Sequence, residues 1–421
     1  MTFQELSLHP ALLRALKEDQ YETPTPIQAA AIPLLLEGHD LVATAQTGTG
    51  KTAAFALPLI DALIKRNYQG KKRPIQALIL APTRELATQI KESMDRYSRK
   101  TPIKSIAVFG GVAKRNQIMK LKRGVDILIA TPGRLLDLMN MNVIQLGKVK
   151  TLILDEVDQM LDMGFIDDVK KITSHCPAER QTMLFSATLP APIEALAKSL
   201  LINPKRLEMA PQNQPLETVT QAVYFAAQRD KIALLKTLLN DPGMTKVLIF
   251  VRTKRYAEQL NTTLLEQGYR VESLHGDKSQ YARQAALQAF KKNQINLLIA
   301  TDVAARGLDI DTLSHVLNFD MPQTPETYLH RIGRTARAGA LGAAISFCTK
   351  EETHLLKAVQ QHVGFTLPVV SNHPYVSVEK PKQAKKKPQQ KRQKARKDTK
   401  KAPFYAQTKE YAIKKKRYAH S

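Results

Sequence analysis

The octapeptide Ala45-Gln46-Thr47-Gly48-Thr49-Gly50-Lys51-Thr52 constrains this chain of 421 residues more than any other stretch. A short apolar run, Leu41-Val42-Ala43, precedes it, and Ala53-Ala54-Phe55-Ala56-Leu57 follows with helical character. That is the strand–loop–helix setting of a phosphate-binding loop. Its glycines let backbone N–H groups close around an anionic phosphate at a helix N-terminus. Lys51 would reach the terminal phosphates, and the Thr52 hydroxyl would take a place on Mg²⁺. The bare pattern begins with Gly, where this chain has Ala45. A glycine-rich turn opening an ordinary helix is the bland alternative, and the rest of the chain decides between them.

Residues 1–210 alternate short apolar runs with helical segments such as Leu86 to Arg99. The runs are Ala77–Leu80, Ser105–Phe109, Ile127–Ala130, Leu152–Leu154 and Met183–Phe185. Continuous rather than alternating apolar runs suit strands buried on both faces of a parallel sheet. Each run ends in small or charged residues, among them Pro82-Thr83-Arg84-Glu85, Gly110-Gly111 and Asp155-Glu156. In an open α/β sheet, ligands bind outside the carboxyl ends of the strands, so these groups share one edge. The pattern lapses at Ala210-Pro211-Gln212-Asn213-Gln214-Pro215 and resumes with Val247–Val251, Asn296–Thr301 and His315–Phe319. Leu298-Ile299-Ala300-Thr301 echoes Leu128-Ile129-Ala130-Thr131, which suggests two similar α/β domains. The sequence therefore divides into a domain at 1–208, a linker at 209–217, a second domain at 218–370 and a tail at 371–421.

The net charge of +25 points to a polyanionic partner such as nucleic acid. Residues 380–421 hold 17 Lys and Arg against Asp398 and Glu410. Residues 380–401 have no apolar periodicity and cannot bury enough surface to offset their ordering entropy, so the tail is expected to be disordered. Phe404, Tyr405, Tyr411 and Tyr418 lie among its lysines, and cations with stacking rings suit single strands. Cys176 and Cys348 are far apart, with no metal-ligand spacing, and read as small apolar residues in a reducing compartment. The N-terminus lacks the pattern of a signal peptide and no apolar run approaches a membrane span, so the expected location is cytoplasmic.

Two further constellations carry chemistry. Asp155-Glu156-Val157-Asp158 follows a strand candidate, where Asp155 can hold Mg²⁺ and Glu156 can orient or deprotonate a water. His330-Arg331-Ile332-Gly333-Arg334-Thr335-Ala336-Arg337 is the densest cationic cluster before the tail. Arg334 and Arg337 would share a face if the segment is helical, and two guanidinium forks would offset charge developing on a γ-phosphate. A basic face on nucleic-acid backbone is the alternative.

These motifs, with Tyr21–Gln28, Pro82–Leu86, Gly110-Gly111, Thr131–Arg134, Ser186-Ala187-Thr188, Val247–Val251, His275-Gly276-Asp277 with Gln280 and Arg283, and Thr301–Asp309, resemble those of the DEAD-box RNA helicases, most closely the RhlE-like bacterial group. The resemblance runs from Phe3 to about Leu367 and explains Ala45, since the family's phosphate loop begins with Ala. It implies two RecA-like domains that close around ATP, Mg²⁺ and single-stranded RNA. It implies that Gln28 reads the adenine edge with Tyr21 and Phe3 near the base, and that Asp309 contacts the ribose. Asp158, Ser186, Thr188 and His330 would couple hydrolysis to RNA binding. Pro82, Thr83, Arg84, Gly111, Thr131, Gly133 and Arg134 would hold RNA backbone in the first domain, and Arg283 and Thr301 in the second. Contacts to phosphate and 2′-hydroxyl groups give little sequence preference.

Three positions depart from the family pattern: Val157 for Ala, Ala336 for the common Gly, and Gln20 for the Gly before the Q-motif aromatic. None removes a side chain that does chemistry. The implied activity is RNA-stimulated ATP hydrolysis with local unwinding of short duplexes, by a monomer with ribosomal or RNA-decay assemblies as suggested partners. An ATP-gated RNA clamp and a DNA-directed helicase are the alternatives. Truncation after residue 379 is expected to weaken RNA binding and flatten its salt dependence while RNA-stimulated ATP turnover persists. Titrating binding against salt for both lengths of chain checks this; equal slopes would refute it.

Overall fold

The computed structural model describes residues 1–45, 48–68, 70, 73–209, 219–305, 310, 313–335 and 342–376. Residues 210–217 of the expected linker, residue 218 and the tail from residue 377 lie outside the described residues.

Two seven-stranded parallel sheets carry the structure. The first contains β1 (Leu41–Thr44), β2 (Ala77–Leu80), β3 (Ser105–Val108), β4 (Ile127–Ala130), β5 (Thr151–Leu154), β6 (Gln181–Ser186) and β7 (Lys205–Glu208). Its spatial order is β3-β4-β2-β5-β6-β1-β7. The second contains β8 (Val219–Phe225), β9 (Val247–Phe250), β10 (Val271–Leu274), β11 (Leu297–Ala300), β12 (His315–Asn318), β13 (Gly342–Cys348) and β14 (Val369–Val370). Its order, β10-β11-β9-β12-β13-β8-β14, repeats the first with each strand advanced by seven. β4 and β11 occupy the same place in their sheets, so the repeated Leu-Ile-Ala-Thr ends two equivalent strands. The expected pair of parallel α/β domains is the observed architecture.

The apolar runs form central strands because helices cover both faces. In the first sheet, Ile79, Ile127 and Ile153 face one cluster with Phe55 and Phe185, while Leu78, Leu128 and Leu152 face the other with Leu135 and Ile193. Strands of four residues suffice, since each contributes side chains to both cores. The chain stays on the second sheet beyond β14: Val376 bridges Ala226, and the His373 ring lies 5.4 Å from that of Tyr224.

Two family departures have structural correlates. Gln20 holds φ 59, a left-handed conformation that favours glycine, so the side chain here costs strain that Gly would not. Val157 is fully buried in the second cluster of the first domain, at the start of the helix Val157–Asp162. Val157→Ala is expected to destabilise the protein by about 2 kcal/mol through the cavity it leaves, with RNA-stimulated hydrolysis unchanged. Thermal melts and steady-state ATPase assays check both halves; a large change in turnover would show that packing here reaches the chemistry.

Candidate functional site

Because all strands of a sheet run one way, the turns after β1, β2, β3, β4, β5 and β6 lie at one edge of the first domain. The phosphate loop leaves β1. Gly48 and Gly50 take φ 88 and 93, which a residue with a Cβ rarely adopts. A Cβ at Gly50 would lie 2.4 Å from Gln28 Nε2 and 2.9 Å from Thr25 Oγ1. Gln28 is buried and spends its amide locally: Oε1 accepts from the Thr25 N–H at 2.9 Å, and Nε2 donates to the Gly50 carbonyl at 3.1 Å. Thr25 Oγ1 donates to the Thr49 carbonyl at 2.9 Å. The Q-motif is thus tied to the back of the phosphate loop. Tyr21 packs between Phe3 and Tyr97, with ring centroids 6.4 and 6.3 Å away. Gln46 and Thr47 lie outside the described residues, as does Asp309.

Lys51 opens the helix Lys51–Arg66, and its buried Nζ donates to the Ala45 carbonyl at 2.9 Å. Asp155, Glu156 and Asp158 are all buried at the end of β5. Burial pushes the Asp155 carboxyl up to about 7, with Glu156 and Asp158 adding repulsion and Lys51 pulling it down. A desolvated carboxylate crowded by acids fits a divalent cation, whose charge would replace the lost hydration. Mg²⁺ commonly takes one or two carboxylates together with substrate phosphates, and Asp155, with Thr52 at the start of the helix Lys51–Arg66, could hold it. Glu156 sits at φ 52, strained backbone at the residue expected to act on water, with its Oε2 accepting from Gln159 Nε2 at 2.6 Å.

The residues expected to couple hydrolysis to RNA binding meet directly in the first domain. Asp158 Oδ2 accepts from the Ala187 and Thr188 N–H groups at 3.0 and 3.2 Å, and the Asp158 N–H donates to Ser186 Oγ at 3.2 Å. The acidic turn after β5 and the turn after β6 are therefore one unit.

The RNA-assigned groups line the same edge farther along. Pro82 and Thr83 follow β2, and Thr83 caps the helix Arg84–Ser98, its Oγ1 accepting from the Leu86 N–H at 3.2 Å. A Cβ at Gly111, φ 76, would lie 1.8 Å from an Arg84 guanidinium nitrogen, so only glycine permits that approach. Arg134 donates to Gln117 Oε1 at 2.8 Å and to the Val112 carbonyl at 3.2 Å. Thr131 precedes the helix Pro132–Asn140, and Gly133 faces open space, leaving that helix N-terminus accessible to an anion.

In the second domain, the helix Pro325–Ile332 carries His330 but ends at Ile332, with Gly333 as its C-cap. Arg334 consequently stands on the following turn, buried, and not on a continuing helical face with Arg337, which lies outside the described residues. His330, Arg331 and Arg334 line one small cleft with Phe250 and Asp302. Arg331, which sequence reasoning left without a role, is the strut of this region. It clamps Asp302 at 2.6 and 2.8 Å, donates to Asn318 Oδ1 and to the Asp320 carbonyl, and stacks 4.9 Å over Phe250. Thr301 ends β11 nearby, its carbonyl accepting from Ala304 and Ala305. Arg283, read as an RNA contact, pairs with Glu85 of the first domain at 2.9 Å, and Gln280 reaches the same carboxylate at 3.5 Å. Glu85 was not foreseen in that role, since nothing in the sequence states which elements face each other.

Two tandem parallel-sheet domains, with a phosphate loop and buried acids on one and a cationic cleft on the other, define a nucleotide-dependent RecA-like helicase core. Residues 25–196 match the DEAD/DEAH box helicase model, and residues 230–339 match the helicase conserved C-terminal domain. The chain is 44% identical over 361 residues to the DEAD-box ATP-dependent RNA helicase CshA of Bacillus subtilis, covering 86% of this chain and 72% of that protein. It is 41% identical over 380 residues to RhpA of Helicobacter pylori, covering 89% of this chain and 76% of that protein. Among solved structures, S. cerevisiae Dbp5 bound to RNA and ADP BeF3 matches with a TM-score of 0.78 at 36% identity, over 88% of this chain and 95% of that one. The chain belongs to the DEAD-box RNA helicase family. No helix among the described residues is long and apolar enough to cross a membrane.

The sign of the Asp155 shift makes a prediction. Its folded pKa lies above the ordinary value of 3.8, so the unfolded chain releases this proton first. Nucleotide-free protein then loses stability from pH 4 to 7, by an amount on the order of 3 kcal/mol. Asp155→Asn should raise the melting temperature at pH 7.5 and not at pH 4, while removing the further stabilisation by Mg²⁺ with a non-hydrolysable ATP analogue. A pH series of thermal melts checks both.

Proposed function

We propose that this protein hydrolyses ATP on closing its two domains around single-stranded RNA, and thereby separates short duplexes locally or remodels RNA–protein complexes. The observation that carries the reading is the division of labour between the sheets. Lys51, Asp155 and Glu156 stand at the carboxyl edge of the first, and His330 and Arg334 at that of the second. Neither set is sufficient, so turnover requires both. The ion pair from Glu85 to Arg283 supports apposition of these edges.

In this reading Lys51 leaves the Ala45 carbonyl for the terminal phosphates, and Gln28 senses adenine while holding the loop at Gly50. Asp155 and Thr52 hold Mg²⁺, which offsets phosphate charge when bound. Glu156 orients or deprotonates the attacking water. Arg334, with Arg337, compensates charge developing on the transferred phosphoryl group. Asp158 passes the state of the acidic turn to Ser186–Thr188, and His330 receives it from the other domain. Arg84, Gly111, Gly133 and Arg134 take RNA phosphates, with Arg283 and Thr301 opposite, so sequence preference is weak. We further infer an RhlE-like affinity, a cytoplasmic monomer and work in ribosome assembly or RNA turnover, in keeping with bacterial helicase relatives and a basic tail.

Steady-state ATP hydrolysis with and without single-stranded RNA tests the mechanism. RNA should stimulate turnover strongly; Lys51→Ala should abolish it, and Arg334→Ala should lower it by about a thousandfold while RNA binding survives. Hydrolysis indifferent to RNA, or intact in Arg334→Ala, would sink two-domain catalysis. Stimulated hydrolysis without strand separation would favour the clamp.

A further inference from the structure

A groove of about 710 Å³ runs beside β3, the outermost strand of the first sheet. It lies between the helix Arg84–Ser98 and the end of the helix Lys114–Lys122, and Gln284 of the second domain closes one side. None of the site residues already described lines it. Its apolar floor includes Ile106 and Phe109.

The charge balance of the walls is informative. Asp95 is occupied by Lys91 and by Ser105 Oγ, the latter at 2.9 Å. Lys104, Lys120 and Arg123 have no ion-pair partner among the described residues, against Glu92 alone. The helix Lys114–Lys122 and its C-cap Arg123 carry five cations and no acid, and only Gln117 and Leu121 of that helix are buried. A helix so basic and so shallowly anchored presents an anion-binding face.

Two observations select the anion. First, the groove begins where the RNA-assigned edge ends: Thr88, one turn after Arg84, lines it, and so does Phe109, the residue before Gly110-Gly111. Second, Tyr281 lies one helical turn before Gln284 in the helix Gln280–Lys291 and is 83% exposed, leaving its ring uncovered. Unpaired cations along the walls, with an uncovered ring one helical turn from Gln284, suit a flexible single strand.

We propose that the β3 groove is an accessory site for single-stranded RNA, with phosphates on Lys104, Lys120 and Arg123 and a base stacked on Tyr281. The proposal rests on the RNA-helicase reading and extends the strand's path beyond the residues that reading uses. The site adds affinity only for strands long enough to leave the core, so it would favour substrates with single-stranded extensions.

The test compares the full-length protein with its Lys104→Ala/Lys120→Ala/Arg123→Ala variant, in Mg²⁺ and a non-hydrolysable ATP analogue, on labelled oligouridylates of about 6 and about 16 nucleotides. The expected result is a roughly tenfold loss of affinity for the longer strand, with its salt slope reduced by about 2, and no change for the shorter one. Tyr281→Ala should weaken long-strand binding about fivefold, and Tyr281→Phe should restore it. Stimulation of ATP hydrolysis by the short strand serves as the control for folding. Equal losses at both lengths would reduce the cations to diffuse attraction and overturn the site. No loss at either would also overturn it, leaving the groove to a protein strand pairing with β3. Failure of the unmodified protein to bind the short strand would instead break the helicase reading itself.

Discussion

Burial of charge at the carboxyl edge of a parallel sheet is the constraint on which this structure depends. A parallel sheet covered on both faces leaves its strand ends as the place where polar groups can meet a ligand. Here Lys51, Asp155, Glu156 and Asp158 all retreat from water at that edge. Such groups are costly without partners, and the loops are shaped to supply them. The Ala45 carbonyl receives Lys51, and the backbone N–H groups of Ala187 and Thr188 receive Asp158. Asp155 accepts from the Glu156 N–H at 3.0 Å, yet burial still pushes its carboxyl up, and that cost is what a cation would relieve.

The second domain meets the same constraint with a different network. Lys231 is fully buried and donates to the Phe319 carbonyl at 2.8 Å, to Glu352 at 3.1 Å and to Asp320 at 3.3 Å. Asp320 in turn accepts from the Arg252 N–H, and its carbonyl receives Arg331. The strut that supports the cationic cleft is thus anchored through β9 and β12 to a buried lysine 100 residues away. Removing one member would leave a buried charge unpaired, which is why such networks hold one geometry.

Side chains of the two domains meet at Glu85. The helices Arg84–Ser98 and Gln280–Lys291 face each other, and Glu85 engages both Gln280 and Arg283. Arg84, beside Glu85, is left near Gly111 with its guanidinium pKa lowered by burial first and by Arg283 second. Crowded cations at this point favour an anion between the domains, where a strand of RNA would lie. Strained backbone at Glu156 places a local conformational cost at the residue proposed to act on water.

How much of this was legible beforehand follows from the range of each interaction. The phosphate loop, the acids after β5, the turn after β6 and the apolar strands are local patterns, each written in consecutive residues. With the family resemblance they anticipated both sheets, and they are the ground on which the nucleotide site is proposed. The repeated strand order was only hinted at by four recurring residues, because order in a sheet depends on crossovers that leave no local mark. A face shared by Arg334 and Arg337 depended on the segment being helical, and the helix before Arg334 ends at Ile332 with Gly333 as its cap. The Gln28 tether to Gly50, the Arg331 clamp on Asp302, the Glu85–Arg283 pair and the β3 groove were decided by tertiary structure alone. Each joins residues remote in sequence through distance and burial, and a linear pattern carries neither. The sequence by itself determined which chemistry the chain could perform; the packing of two sheets decided which side chains hold that chemistry in place.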